Sequence, residues 1–184
     1  MRLITFIPVV LIGFVTTSAL ADGMTVVTSC TVGSNGGHAL SLLRDHPIGG
    51  TAVYYVGKDG AEPVRLYAGD SDKSRGDDVL AACVGTIGRA LVLSGEFTSN
   101  YIQGVAIRYN TRSQRWERID FAERERPESV YLDTREFTLL IPNHGRNESG
   151  KRFILYRYES GKGDVTQIYS DRRPQSEVVK IRTQ

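Results

Sequence analysis

Apolar and polar side chains alternate with a period of two through much of the chain. Val105, Ile107 and Tyr109 alternate with Ala106 and Arg108, and Ile154, Tyr156 and Tyr158 with Leu155 and Arg157. That period belongs to strands with one face buried and the other more polar. Three hairpins follow from the turns between such segments. Ala52 to Val56 is joined to Val64–Tyr67 through Gly57-Lys58-Asp59-Gly60. Val105 to Tyr109 pairs with Trp116 to Phe121 across Asn110-Thr111-Arg112-Ser113, and Phe153 to Tyr158 with Val165 to Tyr169 across Ser160-Gly161-Lys162-Gly163. Each turn is rich in residues that tolerate positive φ or form local turns. Ala90 to Leu93 is a short unbroken apolar run, as expected of a strand buried on both faces. No stretch holds three turns of helical periodicity, and Leu40 to Arg44 reads as strand. Short Val-rich pieces at Thr25 to Val27 and Val178 to Ile181 are expected to pair and close the structure.

The hairpins belong to a repeat. Cys30-Thr31-Val32-Gly33 leads through a glycine pair to Ala39-Leu40-Ser41-Leu42, and Cys83-Val84-Gly85-Thr86 leads through Gly88 to Ala90-Leu91-Val92-Leu93. A more diverged copy runs from Tyr131-Leu132-Asp133-Thr134 to Leu139-Leu140-Ile141. Leu40 to Tyr54, Leu91 to Val105 and Leu140 to Ile154 are each 14 residues apart, so the chain reads as three units of about 50 residues.

The middle unit, from Leu91-Val92-Leu93-Ser94-Gly95 to the Tyr109 and Trp116 pair, resembles a kelch repeat. In that family an apolar strand ends in glycine, and a Tyr-ending strand is followed about seven residues later by Trp. Here Glu96 follows Gly95 where the family has a second glycine, and Glu62 and Val165 stand at the Trp position of the other units. The resemblance implies an all-β fold of four-stranded antiparallel blades with a binding surface at the loop end. It also implies that Tyr109 and Trp116 pack between blades. Propellers ordinarily take four to eight blades, so three units predict an incomplete or small propeller-like structure. A β-trefoil or a β-sandwich is the alternative, and Gln114-Arg115-Trp116 fits the Gln-x-Trp of trefoil lectins.

Composition places this fold outside the cytoplasm. Arg2, the apolar stretch Leu3 to Val15 and Ala19-Leu20-Ala21 have the form of a signal peptide over residues 1–21, leaving one domain of 163 residues over 22–184. The stretch is too short to span a bilayer, and the absence of a Cys after the cleavage point gives no lipid anchor. A periplasmic or secreted location follows. In that compartment Cys30 and Cys83 are expected to form a disulfide. Residues 22–103 carry 6 basic and 9 acidic side chains, and 104–184 carry 16 and 12. A mixed surface of that kind predicts no nucleic-acid partner.

Candidate chemistry is sparse. His38, His46 and His144 lie in loop contexts, and a catalytic role requires at least two to converge. The stretch Asp70 to Asp78 places oxygens at alternate positions but lacks the Glu that closes an EF-hand loop, and Lys73 and Arg75 offset its charge. Tyr156-Arg157-Tyr158-Glu159 lacks the downstream acidic motif of an ADP-ribosyltransferase strand. Asn147-Glu148-Ser149 is a glycosylation sequon. No catalytic, metal or cofactor signature is present. Arg112, Arg115, Trp116 and Arg118 form the candidate binding residues, because Arg and Trp are enriched where proteins meet. These features lead to an expected exported, non-enzymatic binding protein with a protein partner, in concrete form a periplasmic inhibitor or immunity protein acting on an envelope-targeting hydrolase or toxin. The alternatives are a carbohydrate-binding module and a secreted hydrolase using loop histidines or carboxylates.

Overall fold

The computed structural model describes residues 23–33, 36–86, 89–97, 100–145, 149–175 and 178–181. The signal segment over 1–21, together with Asn147 and Glu148 of the sequon, lies outside the described residues. The fold is all-β, with one 3-10 turn at Asp72–Ser74 as the only helical element described. Among the described residues no helix is long and apolar enough to cross a membrane.

Among the described residues, thirteen strands build two antiparallel sheets, and neither closes into a barrel. Strands β1 (Thr25–Val32), β2 (His38–Arg44), β3 (Ala52–Lys58) and β4 (Val64–Arg65) pair in succession. Strands β5 (Arg75–Val84), β6 (Ala90–Glu96), β7 (Ile102–Asn110) and β8 (Arg115–Glu123) pair in the same way. A two-residue ladder, Ala52 to Gly76 and Val53 to Arg75, joins β3 to β5 and makes one eight-stranded sheet of the two meanders. The second sheet has the order β12-β11-β10-β9-β13, from β9 (Ser129–Leu132), β10 (Glu136–Pro142), β11 (Phe153–Glu159), β12 (Val165–Ser170) and β13 (Val178–Lys180). The two end segments do not pair with each other as expected. Thr25–Val32 pairs β2 in one sheet and Val178–Lys180 pairs β9 in the other, so the chain ends extend separate sheets.

The packing forms three layers. Leu40, Leu42, Tyr54 and Val56 of the first meander meet Leu91, Leu93, Val105 and Ile107 of the middle one. On the opposite side, Ala90, Val92, Ala106, Ile119 and Phe121 meet Phe137, Leu139, Ile141 and Ile154 of the second sheet. Neighbours in Ala90-Leu91-Val92-Leu93 therefore enter different cores, and all four are buried. Alternation in β7 has the same consequence: the side holding Ala106 and Arg108 is covered by the second sheet and is not a solvent face. Gly95 keeps a glycine because a Cβ there would lie 2.6 Å from Val79 Cγ2, in space that β5 takes up at its bulge between Asp77 and Leu80.

The stretch Asp70 to Asp78 is partly strand and partly a tight turn. Asp70 Oδ1 accepts the Lys73 amide at 3.2 Å, and the fully buried Ser74 accepts the Tyr67 amide at 2.9 Å and donates to the Tyr67 carbonyl at 3.1 Å. Asp78, already in β5, pairs with Arg126 at 2.6 Å. These carboxylates serve the backbone and nearby arginines, and no group of three metal-ligating side chains occurs among the described residues.

Cys30 of β1 and Cys83 of β5 form a disulfide, with Cα atoms 5.7 Å apart. It ties the free edge of the first meander across to the middle one. A covalent link between strands 53 residues apart limits the unfolded chain, and the chain-entropy relation gives about 4 kcal/mol for a loop of that length. Urea unfolding with and without reductant, or of Cys30→Ser with Cys83→Ser, is expected to show a loss of about that size.

Candidate functional site

The turns at one end of all three meanders are fastened together. Asp59 and Gly60 supply left-handed residues for the β3–β4 turn, with φ of 51° and 73°; Gln114 does so after Thr111 to Ser113, with φ of 51°; Gly161 and Gly163 do so between β11 and β12. His38, at the start of β2, reaches Asp59 with Nδ1 2.9 Å from Oδ2, and the Ala39 amide donates to Asp59 Oδ1 at 2.8 Å. The His38 ring stacks on Tyr109 at 3.5 Å between centroids. Asn110 Nδ2 donates to the Thr134 carbonyl at 3.1 Å and to Ser160 Oγ at 2.8 Å. Thr111–Gln114 thus sits between the tips of the first meander and those of the second sheet.

The four candidate binding residues separate into different roles. Arg112 and Arg115 are exposed at this turn, and neither side chain has a partner among the described residues. Trp116 is half-buried: it lies directly across from Tyr109 in the β7–β8 register, 5.4 Å away edge to face, and 5.7 Å from His38. Lys58 Nζ stands 5.2 Å over the indole. Burial first, and Arg118 second, hold the Lys58 ammonium below its ordinary pKa. Arg118 makes a fork onto Asp120, with Nε 2.8 Å from Oδ2, and donates to the Leu66 carbonyl at 2.8 Å. It straps the segment after β4 to β8. The arrangement leaves Arg112 and Arg115 available to a ligand, while Trp116 and Arg118 hold neighbouring strands.

His38 and His46 stay apart. His38 and Arg44 bound the seven residues of β2, about 20 Å of extended chain, and His46 lies beyond the far end. His144 follows β10 and stands 3.5 Å from Glu125.

A buried polar network lies under the turns, and the period-two reading of β7 missed it. Arg108 Nε donates to Glu117 Oε2 at 2.6 Å, and its NH1 donates to the Asp133 carbonyl at 2.6 Å. Ser160 Oγ donates to Glu117 Oε1 at 2.6 Å, and Asn110 Nδ2 donates to the same oxygen at 2.9 Å. The guanidinium also lies 5.0 Å over Phe137. Burial pulls Arg108 below its ordinary pKa while Glu117 opposes the shift. Both charges are almost wholly enclosed, paired with each other and bonded to Asp133 and Ser160 in the turns after β9 and β11. The sequence signal was available, since Arg108 and Asn110 lie on the same strand face as the apolar Ala106.

Above this network is a cleft of about 540 Å³ between the β7–β8, β9–β10 and β11–β12 turns, lined by Arg112, Ser113, Arg135, Glu136, Glu159 and Lys162 among others. Glu159 pairs with Lys162, and Glu136 lies 3.7 Å from Arg157. Comparison with known proteins gives no match to a protein-family model, to a curated protein or to a solved structure.

Removing one member of the buried pair leaves the other charge unanswered. Glu117→Ala is expected to cost about 3–5 kcal/mol in urea unfolding, and Arg108→Met with Glu117→Leu markedly less. His38→Ala is expected to lose about 1 kcal/mol of ring packing. Asp59 is held below the usual carboxylate range first by the His38 hydrogen bond and then by the Ala39 amide. The folded chain therefore binds fewer protons there than the unfolded chain, and the stabilisation present near neutrality is lost as pH falls through the folded value, below about 4. Stability curves from pH 7 to 2 should be flatter on the acid limb for Asp59→Asn.

Proposed function

We propose that the chain is an exported, non-enzymatic binding scaffold that presents the joined turns of its three meanders to a protein partner. The three meanders are read as units of an incomplete, propeller-like assembly: β2, β6 and β10 hold equivalent places, and each is followed by a hairpin. In its concrete form the protein is a periplasmic or secreted inhibitor or immunity protein that neutralises an envelope-targeting hydrolase or toxin.

One observation carries this reading. Arg112 and Arg115 project without acidic partners from a turn whose neighbours on both sides are fixed. A rigid support lowers the ordering cost of association, and arginine forks are effective anchors at protein interfaces. The disulfide fits an oxidising compartment.

The test uses the folded chain as bait in periplasmic and secreted extracts, followed by affinity measurement on the purified partner. Arg112→Glu with Arg115→Glu is expected to weaken binding about tenfold or more with unchanged thermal unfolding. Retention of no protein partner, or equal binding by the double variant, would count against the reading.

A further inference from the structure

The cleft beside Arg112 has the charge pattern of a receptor. Its two carboxylates already have cations: Glu159 has Lys162, which holds it below the usual carboxylate range, and Glu136 has Arg157. Arg112 and Arg135 have none among the described residues. Two guanidiniums lining one concave space, with the available acids already engaged, leave an unmet demand for an anion.

The backbone beneath the two arginines is fixed. The Arg112 amide donates to Asn110 Oδ1 at 3.0 Å. The Arg135 amide donates to Asp133 Oδ1 at 2.8 Å, and its carbonyl accepts the Ser160 amide at 2.9 Å. Asn110 and Ser160 are bonded to each other and to the buried Glu117. The network that joins the layers therefore also fixes the backbone of both arginines that line the cleft. Such fixed starting points suit forked hydrogen bonds to a planar anion, because less freedom is lost on binding.

We infer that this cleft is a carboxylate-binding site for an acidic segment of a polypeptide, gripped by Arg112 and Arg135. The inference rests on the binding reading above, in which the segment belongs to the partner. The anion assigned is carboxylate, whose plane matches the flat guanidinium fork, and phosphate serves as the competing anion in the test.

The experiment is a fluorescence-anisotropy titration of the full mature chain with a labelled peptide of three consecutive glutamates flanked by glycines. The same peptide with glutamines, and inorganic phosphate as competitor, complete the set. Arg112→Ala with Arg135→Ala should weaken the glutamate peptide about tenfold or more, whereas Lys151→Ala with Lys180→Ala removes equal charge elsewhere and should change it less than about twofold. Thermal unfolding of each variant confirms the fold. Equal binding of the glutamate and glutamine peptides, or no loss in the arginine variant, overturns the site. Displacement by phosphate at a concentration equal to that of the peptide overturns the carboxylate assignment. A captured partner that the arginine variant still binds overturns the cleft while the binding reading stands. Arginine-dependent peptide binding with no partner captured supports the cleft and counts against the binding reading alone.

Discussion

Strands β6 and β7 have no solvent face, and the other layers are arranged around that fact. A strand in an open sheet ordinarily buries one side; here Leu91 and Leu93 enter one core while Ala90 and Val92 enter another. The middle meander must therefore be covered twice, by β1 to β4 on one side and by the second sheet on the other. Apolar burial of about 25 cal/mol per Å² drives both contacts, but it is non-directional and fixes neither register nor angle. The directional links do that. The disulfide holds β1 to β5, and the Arg108 and Glu117 network holds β7 and β8 to the turns after β9 and β11.

Much of this architecture was legible because period-two alternation and turn chemistry are local signals. The hairpin across Asn110 to Ser113 forms with Tyr109 opposite Trp116, Leu40–Arg44 lies within a strand, and the unbroken run Ala90–Leu93 is buried on both faces. What failed was information held by distant contacts. The partner of Val178–Lys180 is β9, not β1, and nothing within so short a Val-Val-Lys segment selects between two edges. Arg108 was assigned to a polar face because its neighbours in sequence say nothing about a sheet formed some 25 residues later.

Residue type alone likewise merged residues with different work. Arg112, Arg115, Trp116 and Arg118 sit within seven positions and share an interface-like composition. Their separation follows from the pleat and from which strand edge each side chain meets. Trp116 and Arg118 project on the same side of β8, where His38 and the Leu66 carbonyl await them. Arg112 is in the turn, where neither layer can reach it. Sequence composition identifies the hairpin; tertiary packing decides which of its cations remain available.

The same packing decides which cations are engaged. Several arginines are spent on carbonyls and carboxylates that strand packing leaves nearby: Arg126 on Ser94 and Asp78, Arg173 on Glu128, Arg118 on Asp120. Such pairs contribute little individually when exposed, yet each removes a charge from the list of groups able to meet a ligand. At the joined turns the buried acid Glu117 is already saturated by Arg108, Asn110 and Ser160, so it cannot neutralise Arg112 or Arg135 above it. Saturating the acid beneath the surface is what leaves the surface arginines unpaired. The interaction that fixes the layers and the interaction offered to a ligand are thereby two consequences of one network.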